Sequence, residues 1–349
     1  MVSEGGGVAE QRENDQKTAA SRKTAKLKNR LLAPVEWLGI AAGLCIMPWL
    51  PRRALFPLCD LISRVMYIFD RRGRRRALEN LRILRGEYRN FPDVVFFNPD
   101  AAPYDPSPGE ERIVRRSYRN MSRTVGYAFW TCFRARARCA ATGVMCEEGR
   151  KFLSGNRPVV TVSGHIGCWE LLSQLAFLEG HGMMSVAKDI GTPGMTALLM
   201  KARRSIGQEI VRAEGAFRPL MQGLRRGLSL GLLVDQSVSP KRGGVWVKFL
   251  GMPMSVSAAP AFFAAKGMAP IAVAWSRPLK DGRYRCEVVD VISAAEARDV
   301  WATTQRCAAD LERVVRRHPS CWVLNYNFFS NLPRPEDLVK LKAKLAGAK

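Results

Sequence analysis

The chain contains three histidines, and one of them, His165, stands in the segment TVSGHIGCWE, residues 161 to 170. Gly164 precedes it, Gly167 follows closely, and a carboxylate, Glu170, comes five positions later. Imidazole is the side chain whose ordinary titration lies nearest neutral pH. When a carboxylate accepts from one ring nitrogen, the tautomer is fixed and the other nitrogen is free to take a proton. Inside one continuous helix a five-residue separation would turn the two side chains about 140° apart. With His165 in the preceding turn and Glu170 in the first turns of the helix, they can meet. The expectation is therefore a general base, His165, oriented by Glu170, with Gly164 and Gly167 admitting a ligand close to the backbone. The plain alternative is a satisfied turn histidine beside a surface glutamate.

The elements around this segment must supply that geometry. VVTVSG (159–164) reads as a buried strand running into His165, and a helical pattern begins near Gly167. MMSVAK, QEIVR, LSLGLLVDQ and APIAVAW read as further short strands. WELLSQLAFLEG, PGMTALLMKARRSIG, FRPLMQGLRRG and SAAPAFFAAKG read as helices between them. Such alternation predicts an α/β fold with a mostly parallel central sheet covered by helices. In open sheets of this kind the ligand crevice forms at the carboxyl ends of the strands. His165 sits at one such end. Asp235, which closes LGLLVD, and Gln236 beside it sit at another, and both are candidate substrate-binding residues.

The remaining chain divides by texture. Residues 1–28 are polar and basic, with too little apolar matter to pack, and are expected to be a disordered tail. Residues 29–83 form a membrane-associated helical segment. Within it LLAPVEWLGIAAGLCIMPWL (31–50) is apolar except for Glu36, and about 30 Å long if helical, the thickness of a hydrocarbon core. Basic residues flank it on both sides, which suits a helix dipping into one leaflet better than a crossing. Residues 84–109 are a proline-rich loop, 110–338 the α/β domain, beginning with a strongly basic helical stretch from Glu110 to Cys139, and 339–349 a basic tail. The net charge of +24 favours anionic partners such as lipid headgroups, phosphorylated substrates or an acidic protein. Nine cysteines with no CxxC pair argue against a disulfide framework or zinc site and for reduced thiols in a cytoplasmic setting. Neither a metal nor a cofactor is expected.

Four blocks in order carry a family resemblance: RRRALENLRI (74–83), His165 to Glu170, GTPGMTALLMKARRSIG (191–207), and LLVDQSVSPKRGGVWVKFLGMP (232–253). His165 to Glu170 resembles the H-x4-D/E motif of glycerolipid and lysophospholipid acyltransferases, in the form seen in the lipid A biosynthesis (lauroyl/myristoyl) acyltransferase family. The resemblance implies a fatty acyl transfer from acyl carrier protein to a lipid hydroxyl, on the cytoplasmic face of the inner membrane. It places Arg203 on a phosphate of the acceptor or of the carrier's phosphopantetheine, and a lipid A precursor or another glycolipid as acceptor. Thioester transfer needs a base, an oxyanion stabiliser and a dry slot for the chain. Backbone N–H groups of the 164–168 turn are expected to hold the oxyanion, and SAAPAFFAAKG to line the slot. Where the family carries a basic stretch near its end, this chain has Asn325, Tyr326 and Asn327 in VLNYNFF (323–329).

Two rival functions compete. GLSLG (227–231) matches a nucleophile-elbow pattern, with Ser229, Asp235 and His318 in hydrolase order. An elbow, however, follows a strand and opens a helix, and here the order is reversed. The basic runs RRGRRR and RARAR suggest instead a membrane-attached phosphate or nucleic-acid binder without catalysis. No nucleic-acid motif accompanies them, so nucleic acid is not an expected partner.

Overall fold

The computed structural model describes residues 45–86, 109–132, 134–155, 157–187 and 207–347, with isolated positions between 38 and 43 and between 196 and 204. The tail 1–28, most of the apolar segment before residue 45 and most of the 84–109 loop lie outside the described residues. Among the described residues no helix is long and apolar enough to cross a membrane.

Seven strands build the central sheet: β1 (Gly143–Met145), β2 (Val160–Ser163), β3 (Met183–Ala187), β4 (Glu209–Arg212), β5 (Ser229–Leu233), β8 (Ile271–Pro278) and β9 (Tyr284–Ile292), in the order β1-β9-β8-β2-β5-β3-β4. Every pairing is parallel except β8 with β9. The all-apolar, β-branched character of VVTV suits β2, which is covered on both faces and flanked by two parallel neighbours. All five strands read from the sequence are present. The four others are β1, β9 and the two strands of an antiparallel hairpin, β6 (Gly244–Phe249) and β7 (Met252–Ser257). Leu250 and Gly251 turn that hairpin with φ of 54° and 79°, the left-handed pair that matches strand twist.

Helices cover both faces. On the amino-terminal side lie α1 (Arg52–Phe69), α2 (Arg71–Leu84), α3 (Glu110–Trp130) and α4 (Ala135–Thr142). The single basic helical stretch expected from Glu110 to Cys139 is thus two helices, broken where Arg134 takes a φ of 52°. The α2 sequence buries Gly73, Ala77, Asn80, Leu81 and Leu84, a helical stripe that turns its arginines outward. Asp70 caps it, accepting from Gly73 N–H at 2.8 Å and from the Tyr118 hydroxyl at 2.8 Å. Between the strands run α5 (Glu147–Leu153), α6 (Trp169–Leu178), α7 (Phe217–Arg225) and α8 (Ala259–Gly267), and α9 (Val300–Arg317) and α10 (Pro335–Gly347) follow the last strand. Helix α10 includes most of the stretch read as a tail, and it buries Leu341. The nine cysteines are free, and all but Cys45 are buried.

The turn after β2 is the tightest point of the fold. Gly167 has a φ of 65°, and a Cβ there would lie 1.8 Å from the Ser276 carbonyl oxygen on β8. The space that this glycine vacates is filled by the protein's own backbone. Gly167→Ala should therefore destabilise the fold by at least about 2 kcal/mol, read from urea unfolding of the variant against the wild type.

Candidate active site

Strands β2 and β5 run parallel with Val160 opposite Leu230 and Ser163 opposite Leu233, a constant offset of 70 positions. Two residues beyond the last pair, the same offset brings His165 to Asp235. The imidazole Nδ1 lies 2.8 Å from Asp235 Oδ1, and the His165 backbone N–H donates to Asp235 Oδ2 at 2.8 Å. The indole Nε1–H of Trp322 donates to the same Oδ2 at 3.0 Å. Burial alone would raise the Asp235 carboxyl, but the His165 charge and the His165 and Trp322 donors outweigh it and hold it below the ordinary carboxylate range. An ionised carboxylate only accepts, so the Nδ1 atom carries the proton and Nε2 presents its lone pair. The Gln236 amide nitrogen stands 3.4 Å from that Nε2.

The carboxylate that meets the imidazole is thus Asp235, where the five-residue spacing had singled out Glu170. Among the described residues the ring nitrogens of His165 meet Asp235 and Gln236. Glu170 lies one helical turn on, buried in α6, and faces a cleft of about 500 Å³ shared with Thr161, Ser163, Trp169, Ser185 and Leu233. Asp235, expected to bind substrate, has a side chain with no exposed surface and works from behind the ring. Gly164 leaves room for this carboxylate, since a Cβ there would lie 3.0 Å from Asp235 Cγ. With Gly167 packed on Ser276, neither glycine opens the backbone to a ligand. Arg203 lies outside the described residues.

The turn's N–H groups, expected to hold an oxyanion, already have acceptors. His165 donates to Asp235, Ile166 to the Gly164 carbonyl, Gly167 to the Cys321 carbonyl and Cys168 to the Ser276 hydroxyl. What stands beside Nε2 is side chain: Gln236, the Trp169 ring edge-on at 5.2 Å, and the Tyr326 ring parallel to the imidazole at 6.4 Å.

A second layer, which motif spacing did not single out, holds the segment 320–326 against the turn. Val323 N–H donates to the His165 carbonyl. Asn80 of α2, buried, donates both amide hydrogens, to the carbonyls of Leu324 at 2.7 Å and Tyr326 at 2.9 Å. From α3, the Ser117 hydroxyl donates to the Trp322 carbonyl and accepts from Leu324 N–H, and Asn120 donates to the Ser320 carbonyl. Trp322 stacks on Phe328 at 3.9 Å. The sequence signals for this layer were the block RRRALENLRI, which contains Asn80, and the uncharged stretch VLNYNFF, which contains Tyr326.

Val234, Phe249, Met254, Val256, Ala261 and Leu311, with Asp235, line an apolar cavity. It includes Pro260 and Ala261 of α8, the helix expected to line an acyl slot. The hydrolase constellation is not assembled. Ser229 is fully buried at the start of β5, where it accepts from Val159 N–H at 3.1 Å, and His318 stacks on Trp275 at 4.8 Å. Among the described residues no cluster of metal-ligating side chains occurs.

A carboxylate held low keeps its charge above its unfolded value of 3.8 and loses it only as pH falls through the lower folded value. The His165 Nδ1–H···Asp235 bond should therefore give a far-downfield proton resonance that persists as the pH is lowered to about 4, whether or not Nε2 is protonated. In Asp235→Asn the resonance should be lost at every pH.

The chain was compared with known proteins. A search of curated proteins finds no match. The family model described as bacterial lipid A biosynthesis acyltransferase matches residues 102–329, a stretch that begins just before α3 and includes His165, Glu170, Asp235, Gln236 and Tyr326. With most of its length matched, and with a paired imidazole and carboxylate at two adjoining strand ends, the chain belongs to the bacterial lipid A biosynthesis acyltransferases, and it is an acyltransferase enzyme.

Proposed function

We propose that the enzyme moves a fatty acyl chain from acyl carrier protein to a hydroxyl of a phosphorylated glycolipid, a lipid A precursor first among the acceptors. The observation that carries this reading is the His165–Asp235 pair, a buried carboxylate behind a partly exposed imidazole whose Nε2 stands 3.4 Å from the Gln236 amide. Nε2 takes the proton of the acceptor hydroxyl as that oxygen attacks the thioester carbonyl. Asp235 stabilises the imidazolium that forms, and the proton then passes to the departing thiolate. No covalent acyl-enzyme is needed, because a thioester is already activated. With the turn's N–H groups engaged, the Gln236 amide is our candidate donor to the tetrahedral oxyanion. The cleft bordered by Trp169 and Leu233 is our candidate for the acyl chain, since the Trp169 ring that borders it also packs against the imidazole. The same chemistry on a different glycolipid acceptor remains the alternative. A binder without catalysis gives no reason for a buried carboxylate behind a partly exposed imidazole.

We place the enzyme on the cytoplasmic face of the inner membrane. Helix α1 supports this: Leu61, Val65, Ile68 and Phe69 form an exposed apolar face turned away from α3. The exposed Arg71, Arg72 and Arg75 follow it directly, the arrangement of an interfacial helix with basic residues on anionic headgroups. A net charge of +24 would also draw in an acidic carrier.

Activity should be measured with acylated carrier protein and a detergent-dispersed lipid A precursor. His165→Ala and Asp235→Asn should each lower turnover on the order of 10²–10⁴-fold, while Ser229→Ala keeps it within the same order of magnitude. Full activity in His165→Ala would end the mechanism, and mass spectrometry of lipids from cells lacking the protein tests the acceptor. Replacing Leu61, Val65 and Ile68 together with Ser should weaken binding to anionic vesicles about tenfold or more, with activity on the dispersed acceptor retained.

A further inference from the structure

Helix α3 carries arginines at 112, 116, 119 and 123, a spacing of four, three and four that puts them on one face over about 16 Å. The acids of the helix do not serve this face. Glu110 pairs with Arg85, and Glu111 with Arg115. The carboxylate that reaches the row comes from α1: Asp60 gives both oxygens to Arg123, to Nε and to Nη2, each at 2.6 Å. That bidentate pair uses up the carboxylate. Arg112 and Arg116 are exposed and have no ion pair among the described residues.

Arg119 is different. It is half-buried, its Nε is buried with no hydrogen-bond partner, and it forms no ion pair among the described residues. Burial and then the neighbouring Arg123 charge work against its protonated form, with Arg116 adding to them and Asp60 opposing. The phenol of the buried Tyr284 also lies close to both Arg119 and Arg123. A solvated basic face explains Arg112 and Arg116 adequately. It does not explain a guanidinium drawn partly into the protein between two others with a buried donor left unmade, since such a donor has given up water without gaining an acceptor. Guanidinium forks match phosphate oxygens two at a time, and adjacent arginines share one such anion readily.

We propose that Arg119, with Arg116 and the Asp60-braced Arg123, forms a binding site for a phosphate ester group, separate from the His165–Asp235 pair. On binding, the Arg119 guanidinium turns outward to give its unmade Nε–H and a terminal N–H to one phosphate, Arg116 swings in from solvent to a second oxygen, and Asp60 fixes Arg123 without neutralising the other two. The group could belong to a soluble phosphate monoester or to a phospholipid headgroup.

Binding is measured on the whole protein by titration with glycerol 3-phosphate in solution, and separately with phosphatidate vesicles against phosphatidylcholine vesicles. Arg119→Gln should weaken binding at least tenfold in whichever arm binds, and Arg225→Gln, an equal loss of charge on α7, should change it less than twofold. Because the guanidinium is uncompensated in the free protein, Arg119→Gln should also melt at the same temperature as the wild type or higher, which a merely structural arginine would not allow. Response to glycerol 3-phosphate assigns a soluble ester, and response to phosphatidate vesicles alone assigns a lipid headgroup. The proposal is overturned if neither probe binds, if Arg119→Gln binds like the wild type, if Arg225→Gln loses as much, or if Arg119→Gln melts lower. These binding arms do not depend on acyl transfer, so their outcome is separable from that of the catalytic reading.

Discussion

The parallel pairing of β2 with β5 is the constraint on which the site depends. Its offset of 70 positions runs unbroken from Val159, whose N–H meets the Ser229 hydroxyl, through four strand pairs to His165 and Asp235. A slip of one residue would turn every side chain of the strand to the opposite face. Asp235 would then point away from the imidazole. The register is held by burial, since Val160, Val162 and Leu230 are almost wholly enclosed, and the chemistry inherits its geometry from that packing.

The pair also needs a surrounding that keeps the carboxylate charged and still. Three donors converge on Asp235, an apolar cavity borders it, and water has no access to its side chain. In such a medium a charged hydrogen bond gains strength, and a missing partner would be correspondingly expensive. The Trp322 donor is delivered by a segment that α2 and α3 clamp through Asn80, Ser117 and Asn120. The amino-terminal helices therefore contribute directly to the geometry of the His165–Asp235 pair.

Much of this was legible in the sequence. The five central strands could be read from their β-branched runs, and His165 and Asp235 from their places at strand ends. Their partnership was not legible, because periodicity says nothing about which strands become neighbours. Proximity along the chain favoured Glu170, five residues from the imidazole, over Asp235, seventy residues away. The glycines showed the same limit: Gly164 and Gly167 did signal close approach, but the approaching atoms belong to Asp235 and Ser276. Strands β6 and β9 were missed because VWVKF and YRCEVVDV mix charges with apolar residues, and β7 because MPMSVS, though buried, holds a proline and no run of β-branched residues. Asn80 was visible only as part of a motif, and its purpose emerged with the backbone it holds, some 244 positions away.

That long reach has a consequence for the order in which the protein comes into being. A ribosome releases the histidine and the aspartate well before the tryptophan that completes their surroundings, which follows 87 residues behind Asp235. Domains acquire structure from the amino terminus as they emerge, so the nascent sheet can close while the turn at His165 still lacks its ties to Cys321 and Val323. The amino-terminal helices can thus be in place while the His165–Asp235 pair still lacks the third of its donors.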